Sequence, residues 1–95
     1  MAKILIVDDD QAICEMIQMK LQRLAVPSLY VLNLKEAYIS AQEELYDLVL
    51  LDVHLPDGNG LEAIQYFKKT KSKPEVIIIT GNEDSEGAEL ALTTG

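Results

Sequence analysis

The sequence predicts an α/β fold in which a doubly wound parallel sheet carries helices on both faces. Short apolar runs alternate along the chain with segments whose apolar residues recur at three- and four-residue spacing. Such alternation is typical of βα units, whose parallel strands are covered by helices and are therefore apolar on both faces. Polar residues end several of these runs, and the carboxyl ends of parallel strands meet at one edge. We therefore expect four βα units with a crevice at that edge.

The first half of the chain contains two of these units. Asp10 stands where its carboxylate can cap the first helix, and Asn33 with Glu36 three residues later resembles a capping box for the second. Each cap precedes an amphipathic apolar stripe, which indicates a helix with one buried face. The predicted elements are a strand over residues 3–7, a helix over 11–24, a strand over 29–32 and a helix from 34 to about 45.

The second half repeats the pattern after a loop rich in turn residues. Residues 53–60 contain the Pro, Asp, Asn and Gly residues that favour turns, and Gly81 lets the chain turn sharply after the last strand. β-Branched residues dominate the fourth strand, as expected for a buried strand. The predicted elements are a strand over Leu48–Asp52, a helix over 61–67, a strand over 76–80 and a weaker helix over 85–94.

Composition indicates one small globular domain, which we place at residues 1–95. Hydrophobic residues make up 48% of the chain, too many for a disordered protein. The net charge of -8 repels nucleic acid and anionic membranes and favours cations and basic partner surfaces. Cys14 is the only cysteine, which excludes an internal disulfide and a CxxC redox pair. Since no apolar run approaches the length of a membrane span, we expect a cytoplasmic protein.

Three carboxylates are expected at the same edge of the sheet, because Asp8 and Asp9 follow the first strand and Asp52 ends the third. Their mutual repulsion raises the cost of ionisation unless a cation lies among them. Oxygen ligands with no other metal donor nearby select Mg²⁺ or Mn²⁺. Such an ion would neutralise the oxygens of an incoming phosphoryl group, so Asp52 can attack phosphorus in line while Asp8 and Asp9 hold the metal. Thr80 offers a hydroxyl to a phosphoryl oxygen.

Taken together and in this order, these residues resemble the receiver domain of two-component response regulators. The resemblance runs over residues 3–95 and rests on three motifs: Asp8-Asp9, the segment DVHLPDGNG over residues 52–60, and Thr80-Gly81. It implies the flavodoxin-like receiver fold with strand order 2-1-3-4, a family property and not a result of the pattern itself.

The resemblance also implies roles for particular residues. Asp52 would accept a phosphoryl group from a phosphohistidine on a sensor histidine kinase, and the domain would act as a signalling switch that catalyses only its own phosphorylation and dephosphorylation. Asp9 would bind Mg²⁺ directly, Asp8 largely through water, and the main-chain carbonyl of His54 would be a further ligand. Thr80 would rotate towards the aspartyl phosphate and change the partner-binding surface, which would address a downstream output domain.

The sequence departs from the family in its last segment. Receiver domains continue into a fifth strand that carries a lysine, with an aromatic switch residue near it. A fifth helix follows. Here no Lys or Arg follows Lys73 and no aromatic residue follows Phe67. We therefore expect a receiver domain cut before the fifth strand, or one that continues in a longer chain. The apolar edge of residues 76–80 would then be exposed and available for homodimer formation.

Other functions remain open at this stage. A phosphatase of the haloacid-dehalogenase type also uses an aspartyl nucleophile with Mg²⁺, but it carries a second aspartate two residues later, where this chain has His54. A pseudo-receiver would bind partners without phosphorylation. Asp8 and Asp9 could also merely complement a helix dipole, as we expect for Asp10, but that role leaves the matching position of Asp52 unexplained. We expect the His54 imidazole to be an exposed loop side chain.

Overall fold

The computed structural model describes residues 2–81 and 88–93, with side chains described through residue 79. Strands and helices alternate through most of this part of the chain, as predicted. In chain order the elements are β1 (Ile4–Val7), α1 (Gln11–Arg23), β2 (Ser28–Val31), α2 (Leu34–Glu43), β3 (Leu48–Asp52), β4 (His54–Leu55), β5 (Gly58–Asn59), α3 (Gly60–Lys68), β6 (Glu75–Gly81) and β7 (Ala88–Thr93).

The main sheet has the order β2-β1-β3-β6-β7, and its first four strands are parallel. These four strands confirm the predicted order 2-1-3-4. The chain passes from β1 to β2 on one side and then crosses to β3 on the other, so the winding reverses between β1 and β3. Val7 lies opposite Leu51 in this pair, which brings the carboxyl ends of the two strands to the same level.

Two apolar layers cover the sheet, one on each face. Alternate residues of β1 divide between them: Ile4 and Ile6 pack with Cys14 of α1, whereas Leu5 and Val7 belong to the layer that includes α2 and α3. Each fully buried side chain of this kind contributes about 1.5–3 kcal/mol relative to an exposed one. The sheet is therefore doubly wound, and its rigidity fixes the strand ends that carry the acidic residues.

Side-chain caps define where the three described helices begin. The Asp10 carboxylate accepts from the N–H groups of Ala12 and Ile13 at 3.0 and 3.3 Å, which confirms its predicted role at α1. Asn33 caps α2 by accepting from the N–H of Glu36 at 2.8 Å, which is one half of the predicted capping box.

Within residues 2–81 and 88–93, none of the helices has the length and apolar character needed to cross a bilayer.

The segment predicted as a turn after β3 folds into a small antiparallel hairpin of β4 and β5. His54 lies opposite Asn59 and Leu55 lies opposite Gly58. Leu55 is buried, whereas His54 has an exposed side chain, as the sequence predicted. We call residues 54–59 the β4–β5 hairpin. Because it follows Asp52 closely in the chain, this hairpin lies beside the carboxyl end of β3.

The last described segment corrects two predictions. Residues 88–93 form β7, an antiparallel neighbour of β6, whereas the sequence pattern predicted a helix over 85–94, of which 85–87 and 94 lie outside the described residues. The edge of β6 is consequently paired over residues 76–81 by this chain and is not the exposed edge that we expected to form a homodimer. Unpaired backbone groups on an apolar strand favour a partner strand over a short, marginal helix.

Candidate functional site

Asp8, Asp9 and Asp52 lie together at the carboxyl ends of β1 and β3. One carboxylate oxygen from each residue lies within 4.8 Å of the others. We call these three residues the acidic cluster. Asp8 is buried, Asp52 is half-buried and Asp9 is exposed, so the cluster opens to solvent on one side. The structure thus brings together the three residues that the sequence predicted to share a cation.

Hydrogen bonds hold Asp8 in place directly after β1. Its N–H donates to the carbonyl of Val31 at 3.2 Å, which extends the pairing of β1 with β2. Its Oδ1 accepts from the N–H of Asp10 at 2.9 Å, and its carbonyl accepts from the Cys14 thiol at 3.3 Å. With only 4% of its surface exposed, the Asp8 side chain is fixed by its surroundings before any ligand binds.

Asp52 is positioned by the ladder of β3 and by the hairpin that follows. It ends β3 opposite Ile79 of β6, and its Oδ1 accepts from the N–H of His54 at 3.4 Å. Pairing with β6 and the bond from the His54 N–H therefore hold Asp52 at the carboxyl end of β3. Because the side chain is half-buried and not enclosed, an approaching group can reach its free oxygen.

The electrostatics of the cluster are unfavourable without a cation. Burial first, and the nearby charge of Asp52 to a smaller extent, raise the pKa of Asp8 to about 6 against the opposing effect of the Asp10 N–H. Burial also raises the pKa of Asp52, with Asp9 as the neighbouring charge. Within residues 2–79, no Lys or Arg side chain forms an ion pair with any of the three. A divalent ion would relieve this repulsion.

Gly60 brings the start of α3 into contact with the backbone of Asp52. A Cβ atom built on Gly60 would lie 2.1 Å from the Asp52 carbonyl oxygen, a distance that no side chain can occupy. The Gly60 N–H donates to the carbonyl of Val53 at 2.8 Å and closes the loop. The absence of a side chain at this position therefore allows the loop to fold tightly beside the nucleophile candidate.

The remaining predicted site residues are distributed around the cluster. The backbone of Thr80 follows Ile79, which pairs with Asp52, but the Thr80 side chain lies outside the described part of the structure. His54 contributes its backbone to the hairpin, and whether its carbonyl binds a metal stays a prediction. Asp10 lies beside the cluster as the cap of α1.

Residues 57–60 were predicted only as turn residues, and three of them make specific contacts that the sequence did not indicate. Asp57 accepts from the N–H groups of Leu34 and Lys35 at the start of α2. Asn59 caps α3 through the N–H of Leu61 at 2.7 Å, and Gly60 makes the close approach described above. An Asn directly before an apolar helical stripe could have indicated the cap. The partner of Asp57 is more than twenty residues away, and no local pattern indicates it.

The arrangement suits a hard cation and an oxygen nucleophile. Carboxylate oxygens at mutual distances below 4.8 Å are the donors that Mg²⁺, Mn²⁺ and Ca²⁺ prefer. The cluster lies where the winding of the sheet reverses, which is where open α/β sheets bind ligands. Fold and site together define a doubly wound α/β domain with a cluster of three carboxylates at its switch point.

Comparison with known proteins identifies the family. The model of the response regulator receiver domain matches residues 4–95, and the chain belongs to this family. It is similar to the response regulator protein PilR of Pseudomonas aeruginosa, with 37% identity over 93 residues, covering 98% of this chain and 21% of PilR. The chain spans between 21% and 43% of the lengths of the first curated relatives that it matches.

Solved structures agree with this assignment. The response regulator TrrA of Thermotoga maritima, in complex with Mg²⁺-BeF, superposes with a TM-score of 0.78 at 32% identity, covering 87% of this chain and 72% of TrrA. A CheY-like receiver domain protein of Methanospirillum hungatei superposes with a TM-score of 0.81 at 29% identity, covering 90% of this chain and 69% of that protein. The chain therefore has the flavodoxin-like receiver fold of two-component signalling proteins.

Proposed function

We propose that residues 1–95 form one phospho-accepting receiver domain in which Asp52 takes a phosphoryl group from a sensor histidine kinase. The observation that carries this proposal is the acidic cluster, in which Asp52 lies within 4.8 Å of two further carboxylates at the switch point of a receiver fold. Membership of the receiver family supports the same assignment.

The chain's own oxygen atoms are suited to Mg²⁺. Asp9 and Asp52 would bind the ion directly, Asp8 would act largely through water, and the main-chain carbonyl of His54 would be a further ligand. When bound, the ion would neutralise phosphoryl oxygens and favour the charged form of Asp52. The structure of the relative TrrA in complex with Mg²⁺-BeF supports Mg²⁺ as the ion, and Mn²⁺ satisfies the same donors.

Transfer to Asp52 requires one bond to form and one to break. The free carboxylate oxygen of Asp52 attacks phosphorus in line while the bond from phosphorus to the imidazole nitrogen of the donor breaks. The electron pair stays on that nitrogen, and the product is an acyl phosphate on Asp52. The His54 N–H, which donates to Oδ1 of Asp52 at 3.4 Å, would help to orient the carboxylate for this attack.

The output of the domain is a change in partner binding and not turnover of a substrate. His54 occupies the position at which haloacid-dehalogenase enzymes carry their second aspartate, and its side chain is exposed. The hydroxyl of Thr80 would hydrogen-bond the aspartyl phosphate and couple it to the surface around β6. The partners would be the kinase and a downstream output domain, and this segment itself would not bind nucleic acid. The cytoplasmic location stays a prediction.

Acetyl phosphate provides the decisive test, because it phosphorylates an activated aspartate without a kinase. Incubation with Mg²⁺ should add one phosphoryl group, seen as a gain of about 80 Da by mass spectrometry. Asp52→Asn should abolish the gain completely, because an amide oxygen is a far weaker nucleophile. Asp47→Asn is the matched control, since Asp47 lies at the opposite end of β3, and it should keep the adduct.

Three outcomes would contradict the proposal. An unmodified wild-type chain that still binds Mg²⁺ would indicate a pseudo-receiver that acts only through partners. An adduct that persists in Asp52→Asn would place the acceptor elsewhere. Multiple turnover of a phosphomonoester such as p-nitrophenyl phosphate would indicate a phosphatase.

A further inference from the structure

Asp57 joins the β4–β5 hairpin to the beginning of α2. Its Oδ1 accepts from the N–H of Leu34 at 2.9 Å and its Oδ2 accepts from the N–H of Lys35 at 3.0 Å. Both carboxylate oxygens are therefore engaged by the first turn of a helix that lies more than twenty residues earlier in the chain. Charge-assisted bonds of this kind are stronger than neutral ones, and the helix dipole favours the negative charge.

A packing contact reinforces this connection. A Cβ atom built on Gly58 would lie 2.9 Å from Cδ1 of Leu34, so the hairpin backbone lies directly against that buried side chain. Gly58 also pairs with Leu55, whose buried side chain belongs to the same apolar layer as Leu34. The hairpin is thus held on α2 both by the Asp57 carboxylate and by close backbone packing.

The other end of the hairpin contacts the acidic cluster. The His54 N–H donates to Oδ1 of Asp52, and His54 pairs with Asn59 across the hairpin. A continuous set of contacts therefore runs from the start of α2 through Asp57 and the hairpin to the carboxylate of Asp52. Loss of the anchor at one end would let the backbone of His54 move relative to Asp52 at the other.

We propose that Asp57 is a positioning residue for the cation and phosphoryl site, which it supports by fixing the β4–β5 hairpin, and with it the His54 backbone, against α2. This inference rests on the proposed function of the acidic cluster and deepens it. Groups that orient metal ligands typically change metal affinity roughly 10–100-fold when removed. Asp57 is exposed and does not contact a metal ligand directly, because it acts through the hairpin. We therefore expect its loss to lower Mg²⁺ affinity by less, about three- to tenfold.

A simple helix cap would make the same hydrogen bonds, and α2 offers a matched control for that role. Asn33 also caps α2, through the N–H of Glu36, but it makes no contact with the hairpin among the bonds of the described residues. Asn33→Ala therefore removes a cap from the same helix and leaves the hairpin anchor in place. Asp57→Asn removes the charge but keeps one oxygen that can accept from the helix.

The experiment compares the wild-type chain with Asp57→Ala, Asp57→Asn and Asn33→Ala. Mg²⁺ affinity is measured by isothermal titration calorimetry, and the rate of phosphorylation by acetyl phosphate is measured at limiting and at saturating Mg²⁺. Asp57→Ala should weaken Mg²⁺ binding about three- to tenfold, and saturating Mg²⁺ should restore its rate. Asp57→Asn should recover most of the affinity, and Asn33→Ala should leave it unchanged while lowering thermal stability.

The other outcomes overturn the inference. Unchanged Mg²⁺ affinity in Asp57→Ala, or an equal loss in Asn33→Ala, would reduce Asp57 to a helix cap. Equal losses in Asp57→Ala and Asp57→Asn would indicate a charge effect without positioning. A wild-type chain that fails to bind Mg²⁺ would reject the proposed function itself, so the two failures are distinguishable. Should Asp57→Ala not fold, Asp57→Asn is compared with Asn33→Ala. An Mg²⁺ affinity that is lowered equally in these two variants would contradict positioning.

Discussion

The two ends of the strand pair β1 and β3 carry acidic residues in opposite electrostatic settings. At the amino end, the Lys3 ammonium group forms an ion pair with Glu44, and Asp47 accepts from the Lys3 backbone N–H. At the carboxyl end, the acidic cluster has three carboxylates and, within residues 2–79, no Lys or Arg ion pair. One rim therefore contains an ion pair formed by the chain itself, and the other is the rim at which we propose that a cation binds.

Lys3 connects the residues of the amino-end rim. Its ammonium group forms an ion pair with Glu44 and lies 5.6 Å from the centre of the Tyr46 ring, while its N–H donates to Oδ2 of Asp47 at 2.8 Å. In return the Asp47 N–H donates to the Lys3 carbonyl at 2.8 Å. These contacts fasten β1 to β3 without any added ion.

The contrast separates the acidic residues that contact Lys3 from the acidic cluster, which we propose binds a cation. A chain that needed only stability would pair the buried Asp8 with a base, because an uncompensated buried charge is costly. Leaving the cluster unpaired lowers the stability of the unliganded chain and makes cation binding stabilising. Variants at the carboxyl-end rim, and then one at the amino-end rim, test this contrast.

The largest effect is expected from Gly60→Ala. The new methyl group would need the space of the Asp52 carbonyl oxygen, 2.1 Å away, so the loop or β3 must move. Since backbone has little freedom to give way, we expect the free energy of unfolding to fall by about 2–4 kcal/mol. Urea denaturation followed by circular dichroism measures the change.

Gly58→Ala is the control for this prediction. Its φ of +158° strains any residue other than glycine, but its added methyl group meets only the end of the Leu34 side chain, which can rotate. The loss of stability should therefore be smaller than in Gly60→Ala, where backbone atoms block the methyl group. A Gly60→Ala chain that is as stable as wild type would show that the loop beside Asp52 is not closely packed.

A smaller effect of opposite sign is expected from Asp8→Asn in the absence of metal. Removing the buried charge should raise the free energy of unfolding at pH 7 by about 1–3 kcal/mol, since one pKa unit corresponds to about 1.4 kcal/mol. It should also remove the rise in melting temperature that Mg²⁺ produces in the wild type. Differential scanning calorimetry with and without Mg²⁺ measures both effects, and Asp47→Asn at the amino-end rim is the control.

The pH dependence of this difference follows from the pKa of Asp8. The folded-state pKa of about 6 lies above the ordinary 3.8, so the folded chain binds more protons than the unfolded chain between these values. The stability of the unliganded wild type should therefore fall as pH rises from about 4 to about 6. The burial-raised pKa of Asp52 acts in the same direction. A stability difference between wild type and Asp8→Asn that stays constant from pH 4 to pH 7 would contradict this account.

The smallest effect is expected from Lys3→Met at the amino-end rim. The ion pair with Glu44 is partly exposed and screened by solvent, so its loss should lower the free energy of unfolding by less than about 1 kcal/mol. Mg²⁺ affinity should not change. Lys71→Met, at an exposed position, is the control. If Lys3→Met weakened Mg²⁺ binding as strongly as changes in the acidic cluster do, the two rims would not be independent.

The family resemblance predicted the sheet order, and sequence patterns predicted the meeting of the three aspartates. The meeting of the aspartates follows from features that are local in the chain, namely apolar runs ended by acids and parallel strands joined by amphipathic helices. The predictions for Asp10 and Asn33 as caps were confirmed for the same reason, because a cap and its helix are adjacent.

The sequence was a poor guide wherever distant contacts decide the structure. Residues 88–93 alternate small, polar and apolar residues in a way that suits a helix or a strand, and pairing with β6 decides for the strand. The anchoring of Asp57 to α2 depends on a partner that only the folded chain brings near. The close approach of Gly60 to Asp52 was likewise concealed by an ordinary turn motif.

The matched register of β1 and β3, with Val7 opposite Leu51, makes the site conditional on correct folding. Successive residues of a strand point to opposite faces, so a slip of one residue would turn either acid away from its neighbours. A misassembled molecule would retain every aspartate yet lack the acidic cluster. If the cluster acts as proposed, only molecules with this strand register would be competent for phosphorylation.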